Sequence, residues 1–132
     1  GRAKDQFKTD KGKYISQTPI EMKLLANTDV EQVCVVGMGI PQPIALFVLS
    51  AVGKKKSKEE ITQSLTSSLS EINPTLQKYE VLEKAVVLKD DWTIENGLLT
   101  PTLKVKRNEV EKIHVPKYST WYHTKDSVVI WE

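Results

Sequence analysis

Two apolar runs, Val30 to Gly37 and Ile44 to Val52, constrain this chain more than any other feature. Both are rich in Val, Ile, Leu and Phe, which pack well on a pleated surface. The link between them, Gly37-Met38-Gly39-Ile40-Pro41-Gln42-Pro43, is dense in turn-forming residues. Two buried strands joined by such a turn are expected to pair antiparallel. The glycines of the link do not lead into a Gly-x-x-x-x-Gly-Lys-Ser/Thr pattern, so a phosphate-loop reading is not favoured. Cys34, the sole cysteine, lies inside the first run with no polar neighbour to activate it. It reads as a buried strand residue in a reducing compartment, not as a catalytic thiol.

Helices are expected around this pair. Ser57 and Glu60 have capping-box spacing, and Ile61, Leu65, Leu69 and Ile72 then recur on one helical face. Thr18-Pro19-Ile20-Glu21 reads as another helix start, with Thr18 as N-cap, Pro19 at the first helical position and Glu21 closing a capping box. That helix is expected to end by Asn27. Gln6 to Thr9 and Lys13 to Ile15 flank Asp10-Lys11-Gly12 and predict a β-hairpin. Asn73-Pro74 restarts a short helix, Ala85 to Leu88 adds a third strand, and Asn96-Gly97 marks a tight turn. The tail predicts a short helix from Tyr118 and a closing strand at Val128 to Trp131, with Trp121 and Trp131 as packing anchors. The order is mixed, so the expected class is α+β. The architecture expected is a small antiparallel three-stranded sheet flanked by helices, preceded by an N-terminal β-hairpin, all within one domain spanning residues 1–132.

Charge and rare residues exclude several chemistries. A net charge of +2 does not call for nucleic acid. Lys54 to Lys58 reads as a solvated loop in preference to an anionic-surface contact. His114 and His123 lack metal-ligand spacing, and His114 is expected at a helix C-terminus, where positive charge suits the dipole. Asp90-Asp91 reads as a solvated turn. Residues 1–13 are too polar for a secretory signal, and Ile44 to Val52 is too short to span a bilayer. The expected location is the cytoplasm, with peripheral membrane contact as the alternative. The chain opens on Gly1-Arg2 instead of methionine, which suggests a fragment.

The distinctive chemistry that remains is cationic: Arg2, Lys4, Lys8, Lys13 and Lys104. In Thr100-Pro101-Thr102-Leu103-Lys104-Val105-Lys106-Arg107, Pro101 stiffens the backbone, and Thr102 is expected to cap a helix over Val105 to Ile113. On these residues alone, Lys104 is either a solvated cation at a helix start or a cation aimed at a partner.

Two motifs carry a family likeness. Gly1-Arg2-Ala3-Lys4-Asp5-Gln6-Phe7-Lys8-Thr9-Asp10-Lys11-Gly12-Lys13-Tyr14-Ile15, continued by Ser16 to Glu21, closely resembles the opening of the small C-terminal domain of adenylate-forming acyl-CoA synthetases. Leu98-Leu99-Thr100-Pro101-Thr102-Leu103-Lys104-Val105-Lys106-Arg107 resembles the closing motif of that domain, in the form of its long-chain fatty acid branch. The resemblance implies a two-step reaction. A carboxylate attacks the α-phosphate of ATP, giving an acyl-adenylate and diphosphate, and the thiol of coenzyme A then displaces AMP. Between the steps the small domain rotates against a large N-terminal adenylation domain.

By the same resemblance Lys104 matches the catalytic lysine of adenylation and Lys4 the hinge. Arg2 and Lys13 match nucleotide-side positions, and Lys8 and Gly12 match the face presented to coenzyme A in the thioester step. ATP with magnesium and coenzyme A are implied for the two-domain enzyme. None is expected to bind tightly to this chain, which supplies no metal ligands of its own. The implied partners are the large domain, ATP or AMP, coenzyme A and fatty acid, and not nucleic acid. Two departures stand out. Many members carry glycine immediately before the catalytic lysine, where this chain has Leu103, and Asp10-Lys11-Gly12 replaces a more usual Ser or Gly pairing. Without the large domain the chain is expected to be inactive alone. The alternatives are a C-terminal domain from an enzyme adenylating another acid or an amino acid, and a small basic module for nucleic acid or anionic membrane.

Overall fold

The computed structural model describes residues 6–132. The expectations for Arg2 and Lys4 therefore lie outside the described residues. The hairpin is present: β1 (Gln6–Lys8) pairs antiparallel with β2 (Tyr14–Ser16), Phe7 opposite Ile15. Both of those side chains are buried, which roots the hairpin in the core. Helix α1 (Gln17–Leu24) follows at once.

The two apolar runs form β3 (Val30–Val36) and β4 (Ile44–Leu49), antiparallel with Cys34 opposite Leu46. After a short helix α2 (Ala51–Lys54) comes α3 (Lys58–Ile72), whose capping box is in place. The Glu60 N–H donates to Ser57 Oγ (3.1 Å), and the Ser57 N–H donates to a Glu60 carboxylate oxygen (3.0 Å). Strand β5 (Ala85–Val87), helices α4 (Arg107–His114) and α5 (Tyr118–Tyr122), and strand β6 (Val129–Trp131) complete the chain.

The α+β class and the leading hairpin stand as expected, but the sheet differs in detail. It has four strands, in the order β3-β4-β5-β6, and only the first pair is antiparallel. β5 runs parallel to β4, and β6 parallel to β5. The physical reason is the connections. α3 lies between β4 and β5, and α4 and α5 lie between β5 and β6, so each crossover is long enough to return a strand in the same direction.

The crossovers bury both faces of the sheet. On one face Val33, Val35, Ala45, Phe47, Ala85 and Val87 pack with Ile20 and Leu24 of α1 and Ile61, Leu65 and Leu69 of α3. On the other, Cys34, Val36, Leu46, Val48 and Val86 pack with Trp92, Leu98, Leu99, Val110, Tyr118 and Trp121. The alternation along β3 and β4 is the period-2 signature of a pleated strand. Among the described residues, no helix is long and apolar enough to cross a membrane.

Two local expectations fail, and a third holds in position but not in charge. α1 begins at Gln17 with Ser16 as N-cap and no side-chain cap bond, so Thr18 lies inside the helix and Glu21 does not close a box. α4 begins at Arg107, with Lys106 as N-cap and again no side-chain cap. Thr102 instead shares a hydrogen bond with Thr100 (3.1 Å between the hydroxyls). His114 does end α4, but it is buried against Trp121, and burial holds its imidazole below the ordinary value, disfavouring the charged form. The lysine-rich loop is tied to its own fold. Lys54 pairs with Asp91 (2.5 Å), Lys56 with Asp29 (2.9 Å), and Lys58 lies over the Trp131 ring.

Gly53 shows how tightly α2 sits. Its Cβ, if added, would lie 2.3 Å from the Asp29 carbonyl oxygen. Gly53→Ala is therefore expected to destabilise the chain by about 1–3 kcal/mol, seen as a lower urea midpoint. His114 makes stability pH-dependent. Its folded pKa is depressed, so its contribution is intact above the unfolded value of about 6.5 and is lost as pH falls through the folded value. The nearby Glu132 carboxylate (3.7 Å) partly offsets this, while Lys117 adds to it. Urea midpoints are expected to fall below about pH 6.5, and His114→Gln should flatten that fall.

Candidate functional site

Lys104 rides on a short hairpin-like loop. Leu98 and Leu99 are buried in the second core and hold its first arm. Leu99 bridges antiparallel to Val105, and the Lys106 N–H donates to the Leu98 carbonyl (2.9 Å), which closes the base. At the tip, the Leu103 N–H donates to the Thr100 carbonyl (2.7 Å), and the Thr100 N–H to the Lys104 carbonyl (2.8 Å). The Lys104 N–H also donates to Thr100 Oγ1 (3.0 Å). Pro101 occupies the first corner of this turn, where its fixed φ fits. The backbone of Lys104 is thus held on both sides, while its side chain is exposed.

Leu103 completes the loop at a φ of 67°, in the left-handed region. A three-residue hairpin loop ends in a left-handed residue, a place that favours glycine. The resemblance implies a glycine at this position, and a glycine would hold this backbone without strain. Leu103 takes up that backbone at a steric cost, and the residue stays 61% exposed.

The loop runs straight into Arg107, whose guanidinium forks onto Glu21 of α1. Nη1 donates to one carboxylate oxygen (2.5 Å) and Nη2 to the other (2.6 Å). Nη2 also donates to Thr18 Oγ1 (3.3 Å). Glu21 is buried, and its Oε2 accepts the Val35 N–H (2.8 Å) from the outer edge of β3. One turn earlier, Gln17 Nε2 donates to the Val35 carbonyl. Arg107 Nη1 also approaches Cys34 Sγ (3.7 Å). Burial, with the Glu21 charge adding, pushes the Cys34 thiol up while Arg107 opposes them, so Cys34 is a neutral buried thiol. Burial likewise raises the Glu111 carboxyl against the pull of Arg107.

The remaining candidates sit on the β1–β2 hairpin. Gly12 closes its turn at a φ of 80°, its N–H donating to the Thr9 carbonyl (2.9 Å). Lys8 Nζ lies 5.8 Å from the Tyr14 ring centre, and Lys13 Nζ 5.6 Å from that of Tyr79. The structure therefore brings Lys8, Gly12 and Lys13 together on one hairpin. It places Lys104 on a separate loop, rooted in the other core. Local spacing points to a capping role for Glu21 and to none for Arg107, although Arg107 closes the same motif as Lys104. Among the described residues, no group of three or more His, Cys, Asp or Glu could hold a metal ion.

The family model described as AMP-binding enzyme C-terminal domain matches residues 4–126. Long-chain-fatty-acid–CoA ligase 5 of Mus musculus is 32% identical over 93% of this chain and 21% of its own length. The probable chloroplastic acyl-activating enzyme 16 of Arabidopsis thaliana is 28% identical over 83% of this chain and 17% of its own. The chain thus spans about a fifth of the length of the curated relatives it matches. Among solved structures, the AMP complex of the A-PCP didomain of carboxylic acid reductase from Segniliparus rugosus matches with a TM-score of 0.72 at 26% identity. The match covers 90% of this chain and 17% of that one. The adenylation domain of a Mycobacterium chelonae carboxylate reductase shares the fold, with a TM-score of 0.77 at 20% identity, over 90% of this chain and 19% of that one.

If Leu103 holds a glycine backbone at a steric cost, Leu103→Gly should raise stability by about 0.5–1 kcal/mol. A urea titration checks this; a stability loss of similar size would show that the exposed leucine contributes packing instead.

Proposed function

The chain belongs to the family of AMP-binding enzyme C-terminal domains, and from that premise we propose that it serves as the mobile lid of a long-chain fatty acid–CoA ligase. In this reading Lys104 enters the cleft of the large adenylation domain for the first half-reaction. Its ammonium group faces the α-phosphate of ATP and the attacking carboxylate, and offsets the negative charge gathering between them where water is scarce. The carboxylate oxygen forms a bond to phosphorus, diphosphate leaves, and an acyl-adenylate remains. After rotation about Lys4, the hairpin with Lys8 and Gly12 lines the path of coenzyme A. The thiol sulfur bonds to the acyl carbon and AMP departs.

The observation that carries this reading is the exposed Lys104 side chain on a loop whose backbone is hydrogen-bonded on both sides. A fixed backbone with a free ammonium group suits a charge delivered to another domain, because little ordering remains to be done on closure. The rooting of Lys104 and of the hairpin in different cores supports two distinct working faces. Lys13 and Arg2 are assigned to the nucleotide side. Magnesium would accompany the nucleotide, and Lys104 is the charge this chain is proposed to bring to the adenylation centre. The long-chain substrate is supported by the Thr100 to Lys104 motif and by the names of the relatives. The chain alone is proposed to be inactive, and to work in the cytoplasm.

The test separates the half-reactions in an enzyme that carries both domains. Lys104→Ala should lower acyl-adenylate formation by about 10²–10³-fold. Thioester formation from supplied acyl-adenylate should change by no more than about threefold, since Lys104 is then turned away. Equal losses in both half-reactions would refute the role.

A further inference from the structure

We infer that Arg107 and Glu21 form a positioning pair for Lys104, setting the direction from which its ammonium group approaches the adenylation centre. The inference rests on the proposed role of Lys104 and adds two residues that do not touch substrate.

Apolar packing and the ion pair do different work here. Leu98, Leu99 and Val110 anchor the loop and α4 in the second core, but apolar contact is non-directional and fixes depth more than rotation. The Arg107–Glu21 contact is directional. A planar guanidinium matched to a carboxylate through two nitrogens admits one orientation, and here both nitrogens bond within 2.6 Å. Arg107 is the first residue of α4, directly after the loop, so the rotation of the helix start sets how the second arm of the loop emerges. Glu21 in turn is fixed by the Val35 N–H on the sheet edge, so the reference frame is the sheet itself. The side chain of Arg107 is only 17% exposed and that of Glu21 8%, so the pair is shielded from solvent and salt.

A buried ion pair is weak evidence of stabilisation, because removing both charges together is often neutral. Its benefit here is geometry. That difference lets stability and positioning be separated.

The experiment uses an enzyme carrying both domains and three variants. Arg107→Lys keeps the charge and loses the fork. Arg107→Met combined with Glu21→Gln removes both charges and keeps an amide oxygen for the Val35 N–H. Lys104→Ala is the reference. Each half-reaction is measured separately, together with the urea midpoint. Both Arg107 variants should lower kcat for acyl-adenylate formation by about tenfold or more with KM for ATP nearly unchanged, since a displacement near 1 Å can cost that much. Thioester formation from supplied acyl-adenylate should stay within about twofold, and the double variant should lose adenylation out of proportion to any fall in its urea midpoint. A parent adenylation rate in either variant overturns the inference, as does an equal loss in the two half-reactions. If the double variant is unstable, Arg107→Lys decides by the same two criteria. Full adenylation by Lys104→Ala would instead remove the reading beneath the inference, and that result is read without reference to Arg107.

Discussion

The buried carboxylate of Glu21 is the contact that sets how the first helix, the sheet edge and the start of α4 are oriented to one another. β3 is an edge strand, and an edge exposes backbone groups that need partners. α1 covers that edge, and two of its side chains, Gln17 and Glu21, take the Val35 carbonyl and N–H as a neighbouring strand would. A buried carboxylate must itself be compensated, and Arg107 supplies the opposite charge from 86 residues further along. A single side chain thus joins the first helix, the sheet edge and the start of α4.

The sheet turns that junction into a platform. Its two crossovers put α3 on one face and α4 with α5 on the other, which isolates two cores. Phe7 and Ile15 draw the hairpin into the first, and Leu98 and Leu99 draw the Lys104 loop into the second. Each is a short loop on a rigid base, an arrangement that holds exposed side chains in place without burying them.

Much of this was legible along the chain, and what was not has physical causes. The antiparallel β3–β4 pair, the capped helix α3 and the burial of Cys34 follow from local pattern, because burial and capping there are decided within a few residues. The parallel pairing of β5 and β6 is not local. It depends on where long crossovers return the chain, and three-residue strands carry no mark of direction. Glu21 has the local mark of a capping box in its spacing from Thr18, while its true partner lies far away in sequence. His114 does end its helix, but the expectation of a charged ring there assumes solvent, and Trp121 removes the solvent. Lys104 was marked by its motif, and Pro101 announced the turn around it. The left-handed backbone at Leu103 left no trace in a leucine, and only the glycine of the resembled family hinted at it.

Leu103 also bears on how a lid of the proposed kind would work. A left-handed leucine costs conformational energy whether or not the domain is docked, and its exposed side chain recovers little of that cost in this chain. The hydrogen bonds across Thr100, Leu103 and Lys104 nonetheless hold the turn closed. The loop is therefore built for shape more than for stability. On the proposed reading, rotation between half-reactions is confined to the hinge, and the Lys104 loop travels as part of the sheet's rigid frame. A flexible loop would have to be ordered at each closure, and the entropy of that ordering would raise the adenylation barrier. With Arg107 and Glu21 tying the loop to the edge of β3, the ordering is completed when the domain folds.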